Sequence, residues 1–242
     1  MIKLIIDLGN TRAKLAIFKD DTCLEVRACS NKDLTELDGI INDYHPEKGI
    51  ISSVIHPNEK VTEQLNSISI PMLKLNCNTP LPIKNWENIP KTMGADRLAA
   101  IAEAVNAKPN TPLLVVDSGT CITYEFISDT GEYLGGNISP GADMRFTAMH
   151  EHTALLPIVT PEGETPLIGY NTETAMRSGV MLGISHEIEG YIRRLREKNP
   201  KVLVFLTGGN VLDFDTNIKS GIFADKLLLL KGLNRILDYN EH

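Results

Sequence analysis

The chain has 242 residues, of which 42% are hydrophobic and 23% charged, so it is globular and long enough for one large domain or two ordinary ones. Its net charge of −7 argues against nucleic acid or an anionic membrane as the main partner. Its four cysteines show no metal-ligand spacing, which favours reduced thiols in a cytoplasmic protein. The short N-terminal apolar run meets Asp7 at once, unlike a signal peptide, and no window approaches the ~18 apolar residues of a membrane span.

Hydrophobic spacing and turn residues predict alternating strands and helices in the first half of the chain. In chain order these are strands over 2–6, 13–18 and 22–29, a helix over 33–43, a strand over 49–55, a helix over 58–68, a strand over 72–76 and a helix over 95–107. The Pro-rich passage 79–90 shows no periodicity and is predicted to be a loop.

The second half restarts with the same kind of pattern. Its predicted elements are hairpin strands over 113–116 and 121–127, helices over 141–152 and 172–197, a buried strand within 201–210 and a C-terminal helix over 224–237. Because the first half stops at Pro109, the domain boundary is expected close to residues 109–112. We therefore predict an α/β fold with two domains, residues 1–110 and 111–242.

The two halves share a short sequence device. "LIIDLGNTRAKLAIF" at 4–18 and "LLVVDSGTCITYEF" at 113–126 each combine an apolar run, an aspartate, a glycine turn and a second β-rich run. The aspartates are Asp7 and Asp117. Either motif alone is explained by an ordinary hairpin turn, in which Asp and Gly are common. Their repetition within one chain favours a shared ligand instead.

The first motif, DLGNTRAK (7–14), suits a phosphate group. Gly9 lets the backbone approach phosphate closely, and the amides and side chains of Gly9, Asn10 and Thr11 offer hydrogen-bond donors. Asp7 is predicted to hold Mg²⁺ directly or through water, because Mg²⁺ keeps most of its waters. Lys14 can offset phosphate charge.

The second-half motifs DSGT (117–120) and TGGN (207–210) fit the same ligand class. Ser118 and Thr120 are hydroxyl donors for phosphate, and Asp117 is a second carboxylate. The paired glycines of TGGN permit a flat nucleoside to lie against the backbone, although a Gly-Gly turn alone is weak evidence.

The motif MGADRLAA (93–100) places Asp96 and Arg97 at the start of a helix, where backbone N–H groups favour anions. Taken alone, Asp96 is explained as a helix-start carboxylate. The functional interpretation makes Asp96 a general base for a substrate hydroxyl. Arg97 then holds a substrate carboxylate, which its planar fork suits.

Three further features have weaker interpretations. The three glycines and one proline of GGNISPG (135–141) predict a rigid loop whose backbone passes close to a neighbouring group. The motif NTETAMRSG (171–179) puts Asn171 and Thr172 at a helix start, where either residue can serve as a cap. His150 and His152 lack further ligands for a metal and are interpreted as solvent-facing or capping residues.

The repeated hairpins resemble those of the superfamily that holds acetate kinase, the sugar kinases, actin and the heat-shock ATPases. This resemblance implies an α/β fold of duplicated ribonuclease H-like domains, the actin-like ATPase fold. It also implies that the two halves face each other, with a nucleotide in the interdomain cleft and one Asp-Gly hairpin from each half on its phosphates.

The ordered set DLGNTRAK, GADR, DSGT, GGNISPG, TALLP, NTETAMRSG and TGGN is similar to that of the type III pantothenate kinases, from Asp7 to about Asn210. This resemblance implies ATP-dependent phosphorylation of pantothenate to 4′-phosphopantothenate, the first step of coenzyme A biosynthesis. It implies a homodimer in which the partner subunit closes the pantothenate pocket.

The resemblance also implies site residues. Contacts to ATP are implied for Asp7, Leu8, Gly9, Asn10, Thr11, Arg12, Ala13, Lys14 and Thr120. Contacts to pantothenate are implied for Gly94, Ala95, Asp96, Arg97 and Thr172, with Asp96 as proton acceptor. A monovalent cation, K⁺ or NH₄⁺, is implied at Asp117.

One position departs from the family pattern, which has a Tyr seven residues before the Gly of GADR. Here that residue is Glu87, preceded by Trp86, and a one-residue shift would let Trp86 line the substrate pocket. Two alternatives stay open. One is another small-molecule kinase or phosphatase of the superfamily, such as an exopolyphosphatase-like enzyme without need of Asp96 and Arg97. The other is a non-catalytic nucleotide-binding regulator.

Overall fold

The computed structural model describes residues 1–209 and 220–241. Its strands are β1 (Ile2–Leu8), β2 (Ala13–Lys19), β3 (Thr22–Cys29), β4 (Lys48–Ser53), β5 (Met72–Lys74), β6 (Leu113–Ser118), β7 (Cys121–Ile127), β8 (Tyr133–Pro140), β9 (Leu203–Gly208) and β10 (Ile222–Ala224). Its helices are α1 (Leu37–Tyr44), α2 (Glu59–Asn66), α3 (Ala95–Ala107), α4 (Ala142–Glu151), α5 (Thr172–Lys198) and α6 (Leu228–Tyr239), with a 3-10 helix at Trp86–Asn88.

The chain forms two compact units. Unit 1 contains Met1–Asn110, Ile127–Tyr133 and Leu227–His242, and unit 2 contains Thr111–Phe126 and Leu134–Lys226. The break after Asn110 lies where the sequence predicts a domain boundary. The units nevertheless differ from the predicted division into 1–110 and 111–242, because α6, at the C-terminal end of the chain, packs against α3 of unit 1.

The sheet of unit 1 has the strand order β3-β2-β1-β4-β5. β1, β2 and β3 pair antiparallel, whereas β4 runs parallel to β1 and β5 runs parallel to β4. The central strand β1 is buried along almost its whole length. Its nearly continuous apolar sequence is the pattern expected for a strand that is covered on both faces.

The sheet of unit 2 repeats this topology. Its order is β10-β9-β6-β7-β8, with β9 parallel to β6 and β10 parallel to β9. Counted from the first strand of each sheet, both sheets have the same order, and the first strand of each carries the predicted Asp-Gly motif at its C-terminal end. The predicted internal repeat is therefore confirmed at the level of topology.

Several elements differ from the sequence prediction. The C-terminal helix predicted over 224–237 begins only at Leu228, because Ile222–Ala224 form strand β10. The helix predicted over 33–43 begins only at Leu37, because the preceding residues form a turn in which Leu37 N–H donates to the Leu34 carbonyl oxygen (2.9 Å). Residues 135–140 of GGNISPG belong to strand β8 and not to a plain loop, and Gly141 is the N-cap of α4. The paired glycines of this segment hid the strand pattern, since glycine is depleted in strands.

The contacts that hold helix α6 against the rest of unit 1 include a very close helix contact and a part-buried ion pair. A Cβ atom added at Gly232 would lie 1.8 Å from the carbonyl oxygen of Ala99 on α3, so the two helix backbones nearly touch. The buried Lys3 of β1 donates from Nζ to both carboxylate oxygens of Asp238 (2.7 and 2.8 Å). Loss of Asp238 would leave a buried, unpaired ammonium, which is costly.

Within the described residues, none of the helices has both the length and the apolar character that crossing a membrane requires.

Replacing Gly232 with alanine should reduce the free energy of unfolding by about 1–3 kcal/mol, because the new methyl group would push α6 away from α3. Urea denaturation measures this loss. Gly190→Ala on α5 is the matched control, since a Cβ atom at Gly190 meets nothing within 4 Å. The control should be neutral or stabilising by up to ~1 kcal/mol through helix propensity. Equal stability of the two variants would contradict the close contact between α3 and α6.

Candidate active site

The C-terminal end of β1 carries a row of polar side chains. Asp7 is paired in register with Lys14 on β2 and with Ser52 on β4, so the three side chains lie on the same face of the sheet. Ser52 Oγ donates to Asp7 Oδ1 (3.4 Å), and the Asp7 side chain is buried. A carboxylate, an ammonium and a hydroxyl thus stand side by side, as a phosphate with its cation requires.

The turn that follows β1 is held from outside the hairpin. Gly9 N–H donates to the Arg12 carbonyl oxygen (3.1 Å) and is therefore engaged within the turn. Asn31 Nδ2 donates to the carbonyl oxygens of Gly9 (2.8 Å) and Asn10 (2.9 Å). Asn10, Thr11 and Arg12 are exposed at the tip of the turn, where they can face a ligand.

Leu8 and Ala13, which flank this turn, are fully buried in the core of unit 1. The Leu8 carbonyl oxygen accepts from Val54 N–H (3.1 Å). Any contribution of Leu8 and Ala13 to a ligand site must therefore come from their main chain.

The start of α3 presents Asp96 and Arg97, the predicted base and the predicted carboxylate-binding residue. Gly94 is the N-cap, Ala95 is buried beneath the first turn, and Asp96 and Arg97 are half-buried. Asp96 Oδ1 accepts from the backbone N–H of Arg97 (2.8 Å), which fixes the carboxylate at the helix start. The N-cap of α3 also lies close to the end of β4, since a Cβ atom at Gly94 would be 3.7 Å from Val54 Cγ1.

Arg97 contacts a residue that the sequence interpretation missed. Its Nη2 donates to the hydroxyl of Tyr133 (3.4 Å), the first residue of β8. The neighbouring Glu132 accepts from Asn85 Nδ2 (2.5 Å) and pairs with Lys84 Nζ (3.5 Å). The loop that carries Trp86 is therefore tied to the segment that carries Tyr133. No local sequence signal points to this contact, and Tyr133 lies two residues before GGNISPG.

Trp86 opens the 3-10 helix and is half-buried, whereas Glu87 is exposed. The preceding residue, Asn85, has a left-handed backbone conformation (φ 53°). Of the two residues considered at the departure from the family pattern, Trp86 is thus the one with an apolar surface held in the fold.

In unit 2, two backbone segments pack directly against the DSGT turn. Gly141 N–H donates to the Thr120 carbonyl oxygen (3.0 Å), and a Cβ atom at Gly141 would lie 2.2 Å from the Gly119 carbonyl oxygen. Gly208, at φ 107°, packs on Ser118, whose carbonyl oxygen a Cβ atom would approach to 2.3 Å. The start of α4 and the TGG turn therefore meet at residues 118–120. Asn210 lies outside the described residues.

Asp117 is half-buried and is paired in register with Thr207 on β9. Both side chains offer oxygen donors, which suit a hard cation that keeps part of its water shell. Across the described part of the chain, no group of three or more His, Cys, Asp or Glu residues could hold a metal ion. His150 hydrogen-bonds through Nδ1 to the Leu156 carbonyl oxygen (2.7 Å), which gives it a local structural role.

At the start of α5, one of the two predicted residues caps the helix and the other is exposed. Thr174 N–H donates to Asn171 Oδ1 (2.8 Å) and Asn171 N–H donates to Thr174 Oγ1 (3.1 Å), which is a reciprocal capping box. Thr172, the first helical residue, is exposed. Of the two residues singled out in the sequence, Asn171 caps the helix and Thr172 faces outward.

Comparison with known proteins gives a consistent family. The model of the type III pantothenate kinase family matches residues 3–194. A type III pantothenate kinase from Bacteroides fragilis (strain ATCC 25285) is 51% identical over 239 residues, which cover 99% of this chain and 98% of the relative. A relative of the same description from Phocaeicola vulgatus is 48% identical over 240 residues, 99% of each chain.

Solved structures resemble the fold at low sequence identity. A Campylobacter jejuni protein assigned to the Baf family of transcriptional activators has a TM-score of 0.59 at 23% identity and 98% coverage of both chains. The Clostridium difficile activator of 2-hydroxyisocaproyl-CoA dehydratase, solved with bound ADPNP, has a TM-score of 0.50 at 13% identity, covering 99% of this chain and 94% of that one. With the two repeated sheets, these likenesses confirm the predicted actin-like ATPase fold of duplicated α/β domains.

Proposed function

Since the chain belongs to the type III pantothenate kinase family and catalyses the ATP-dependent phosphorylation of pantothenate, we propose which residues carry out this reaction. The observation that carries the proposal is the start of α3, where Asp96 and Arg97 lie side by side in one helical turn. A base and a carboxylate-binding guanidinium are what a kinase needs to aim the hydroxyl of an acidic substrate.

In this proposal the phosphates of ATP bind at both repeated turns. Residues 7–14 contribute the exposed donors of Asn10, Thr11 and Arg12 together with Lys14, and the second turn contributes the exposed Thr120. Phosphoryl transfer depends mainly on positioning and charge stabilisation, with little covalent work for the protein. The hydrogen bonds from Asn31 support this role, because they hold the first turn in one conformation.

Pantothenate binds at Gly94–Arg97. Arg97 pairs with the substrate carboxylate. Asp96 accepts the proton of the terminal hydroxyl as that oxygen attacks the γ-phosphorus, the bond from the γ-phosphorus to the β,γ-bridging oxygen breaks, and ADP leaves. We add Tyr133 to this pocket, because its hydroxyl contacts Arg97 and helps to orient the guanidinium. Trp86 forms an apolar wall, consistent with its half-buried position in the tethered loop.

Two cations complete the proposal. The carboxylate of Asp7 and the hydroxyl of Ser52 are ligands that Mg²⁺ accepts, and a bound Mg²⁺ would neutralise charge on the β- and γ-phosphates. Asp117 and Thr207 provide oxygen donors for K⁺ or NH₄⁺. The four free cysteines fit the cytoplasmic location that we expect.

We further propose a homodimer that shares its pantothenate pocket. The large exposed apolar side chains of unit 2 are concentrated between residues 134 and 170. They are Leu134, Ile138, Met144, Leu155, Ile158, Leu167, Ile168 and Tyr170, with exposed fractions up to 92%. Soluble monomers seldom expose so many in one stretch, so this surface fits a second copy of the chain. Thr172 lies two residues after the stretch, which would place it near substrate bound by the partner.

Asp96→Asn should lower kcat by about 10²–10⁴ with little change in ATP binding, because the amide keeps the shape of the carboxylate and cannot accept the proton. Steady-state kinetics with pantothenate measure this. Asp38→Asn is the matched control, since Asp38 is also an acidic residue in the first turn of a helix. A near-normal kcat in Asp96→Asn would show that Asp96 is a helix-start carboxylate without a catalytic role.

The reaction should be slow in buffers that contain only Na⁺ or Tris and should accelerate on addition of K⁺ or NH₄⁺. Replacing Asp117 with asparagine should abolish this response, because the site would lose its charged oxygen donor. Initial rates in matched ionic strength provide the measurement. Equal rates in all four cations would remove the monovalent cation from the mechanism.

Mixing two inactive variants tests the shared pocket. If Thr172 of one subunit serves the site of the other, then heterodimers of Asp96→Asn with Thr172→Arg contain one site with both lesions and one with neither. Part of the activity should therefore return after subunit exchange. No recovery despite exchange shown by mass spectrometry, or a fully active monomer, would refute the shared pocket.

A further inference from the structure

Glu187 of α5 lies at the centre of a hydrogen-bond network in unit 2 that the proposed chemistry does not use. Tyr124 Oη donates to Glu187 Oε1 (2.7 Å), and Ser139 Oγ donates to the same oxygen (2.6 Å). Arg145 Nη2 donates to Glu187 Oε2 (2.5 Å). The three donors belong to β7, β8 and α4, so one carboxylate joins four elements of the unit.

The network extends to Pro140, and the next residue, Gly141, contacts the DSGT turn. Arg145 Nε donates to the Pro140 carbonyl oxygen (2.7 Å), so Ser139 and Pro140 are both fixed, one directly by Glu187 and the other through Arg145. The next residue, Gly141, donates to the Thr120 carbonyl oxygen. A continuous chain of hydrogen bonds and one peptide unit therefore joins Glu187 to the turn that carries Thr120.

The carboxylate of Glu187 is ionised at neutral pH. Burial acts to raise the pKa of Glu187, but the hydrogen bonds from Ser139, Arg145 and Tyr124 outweigh burial and hold that pKa below its ordinary value. Hydrogen bonds to an ionised group are stronger than those between neutral groups. Only 27% of the Glu187 side chain and 21% of the Arg145 side chain are exposed, so water competes weakly for these contacts.

We propose that Glu187 is a positioning residue for ATP. Through Ser139 and Arg145 it holds Gly141 against residues 119–120, and this contact sets the position of the Thr120 hydroxyl. The proposal rests on the proposed role of Thr120 in ATP binding. Its physical basis is preorganisation, since a donor that is already fixed loses less entropy when it binds phosphate.

Glu187→Gln tests the proposal, because glutamine keeps the size of the side chain and loses the charge that holds Arg145. The KM for ATP should rise about three- to thirtyfold, whereas the KM for pantothenate should stay unchanged. Amide hydrogen exchange over residues 118–121 and at Gly141 should accelerate, while exchange in the sheet of unit 1 should not. A purely structural loss would instead lower the melting temperature and affect both substrates alike.

Two further variants keep the test decisive. Glu197→Gln removes the same charge from an exposed position of the same helix and should change neither KM. Arg145→Lys keeps the positive charge but cannot reach both Pro140 and Glu187, so it should reproduce the ATP effect if Glu187→Gln fails to fold. An unchanged KM for ATP in a folded variant overturns the proposal, as does an equal rise in both KM values.

The exchange measurement also separates this proposal from the proposed function. Faster exchange at residues 118–121 in Glu187→Gln supports the positioning contact even if the wild-type protein does not phosphorylate pantothenate. Unchanged exchange at these residues in an active enzyme overturns the positioning contact and leaves the proposed function intact.

Discussion

The turn at residues 118–120 is packed backbone to backbone, and the candidate site of unit 2 depends on this constraint. Gly141 and Gly208 approach the turn so closely that no side chain fits at either position. The end of β6, the start of α4 and the end of β9 are therefore held within one small volume. A fixed turn that exposes the Thr120 side chain is suited to an anion, because its hydroxyl donor is ordered before the ligand arrives.

In unit 1, the turn after β1 is fixed by side-chain contacts instead of backbone packing. Its turn after β1 is held by the side-chain amide of Asn31, and its polar row of Asp7, Lys14 and Ser52 is aligned by strand register. The two units share one sheet topology but carry different additions. Unit 1 adds Asp96 and Arg97 at the start of α3, whereas unit 2 adds the exposed apolar stretch and the Glu187 network. The same sheet topology thus carries different side-chain arrangements in the two units.

Local sequence was sufficient for the parts that rest on local physics. The apolar runs and Asp-Gly turns predicted β1, β2, β6 and β7, and the order of motifs predicted the family. The contacts that the sequence did not predict involve residues far apart in the chain. Nothing near Asn31 or Tyr133 indicates their contacts with Gly9 and Arg97, and Glu187 finds its donors far from it in sequence. The placement of α6 in unit 1 likewise follows from Gly232 and Ala99, which no periodicity could pair.

Hydrogen exchange with a non-hydrolysable ATP analogue tests the central claim, that both repeated turns bind the phosphates. Exchange should be compared with and without the analogue, in peptides that cover residues 7–14 and residues 117–121. We predict that both peptides become protected at the same analogue concentration, since one ligand engages both turns. Protection of only one turn, or of neither turn while the analogue is bound, would contradict this account.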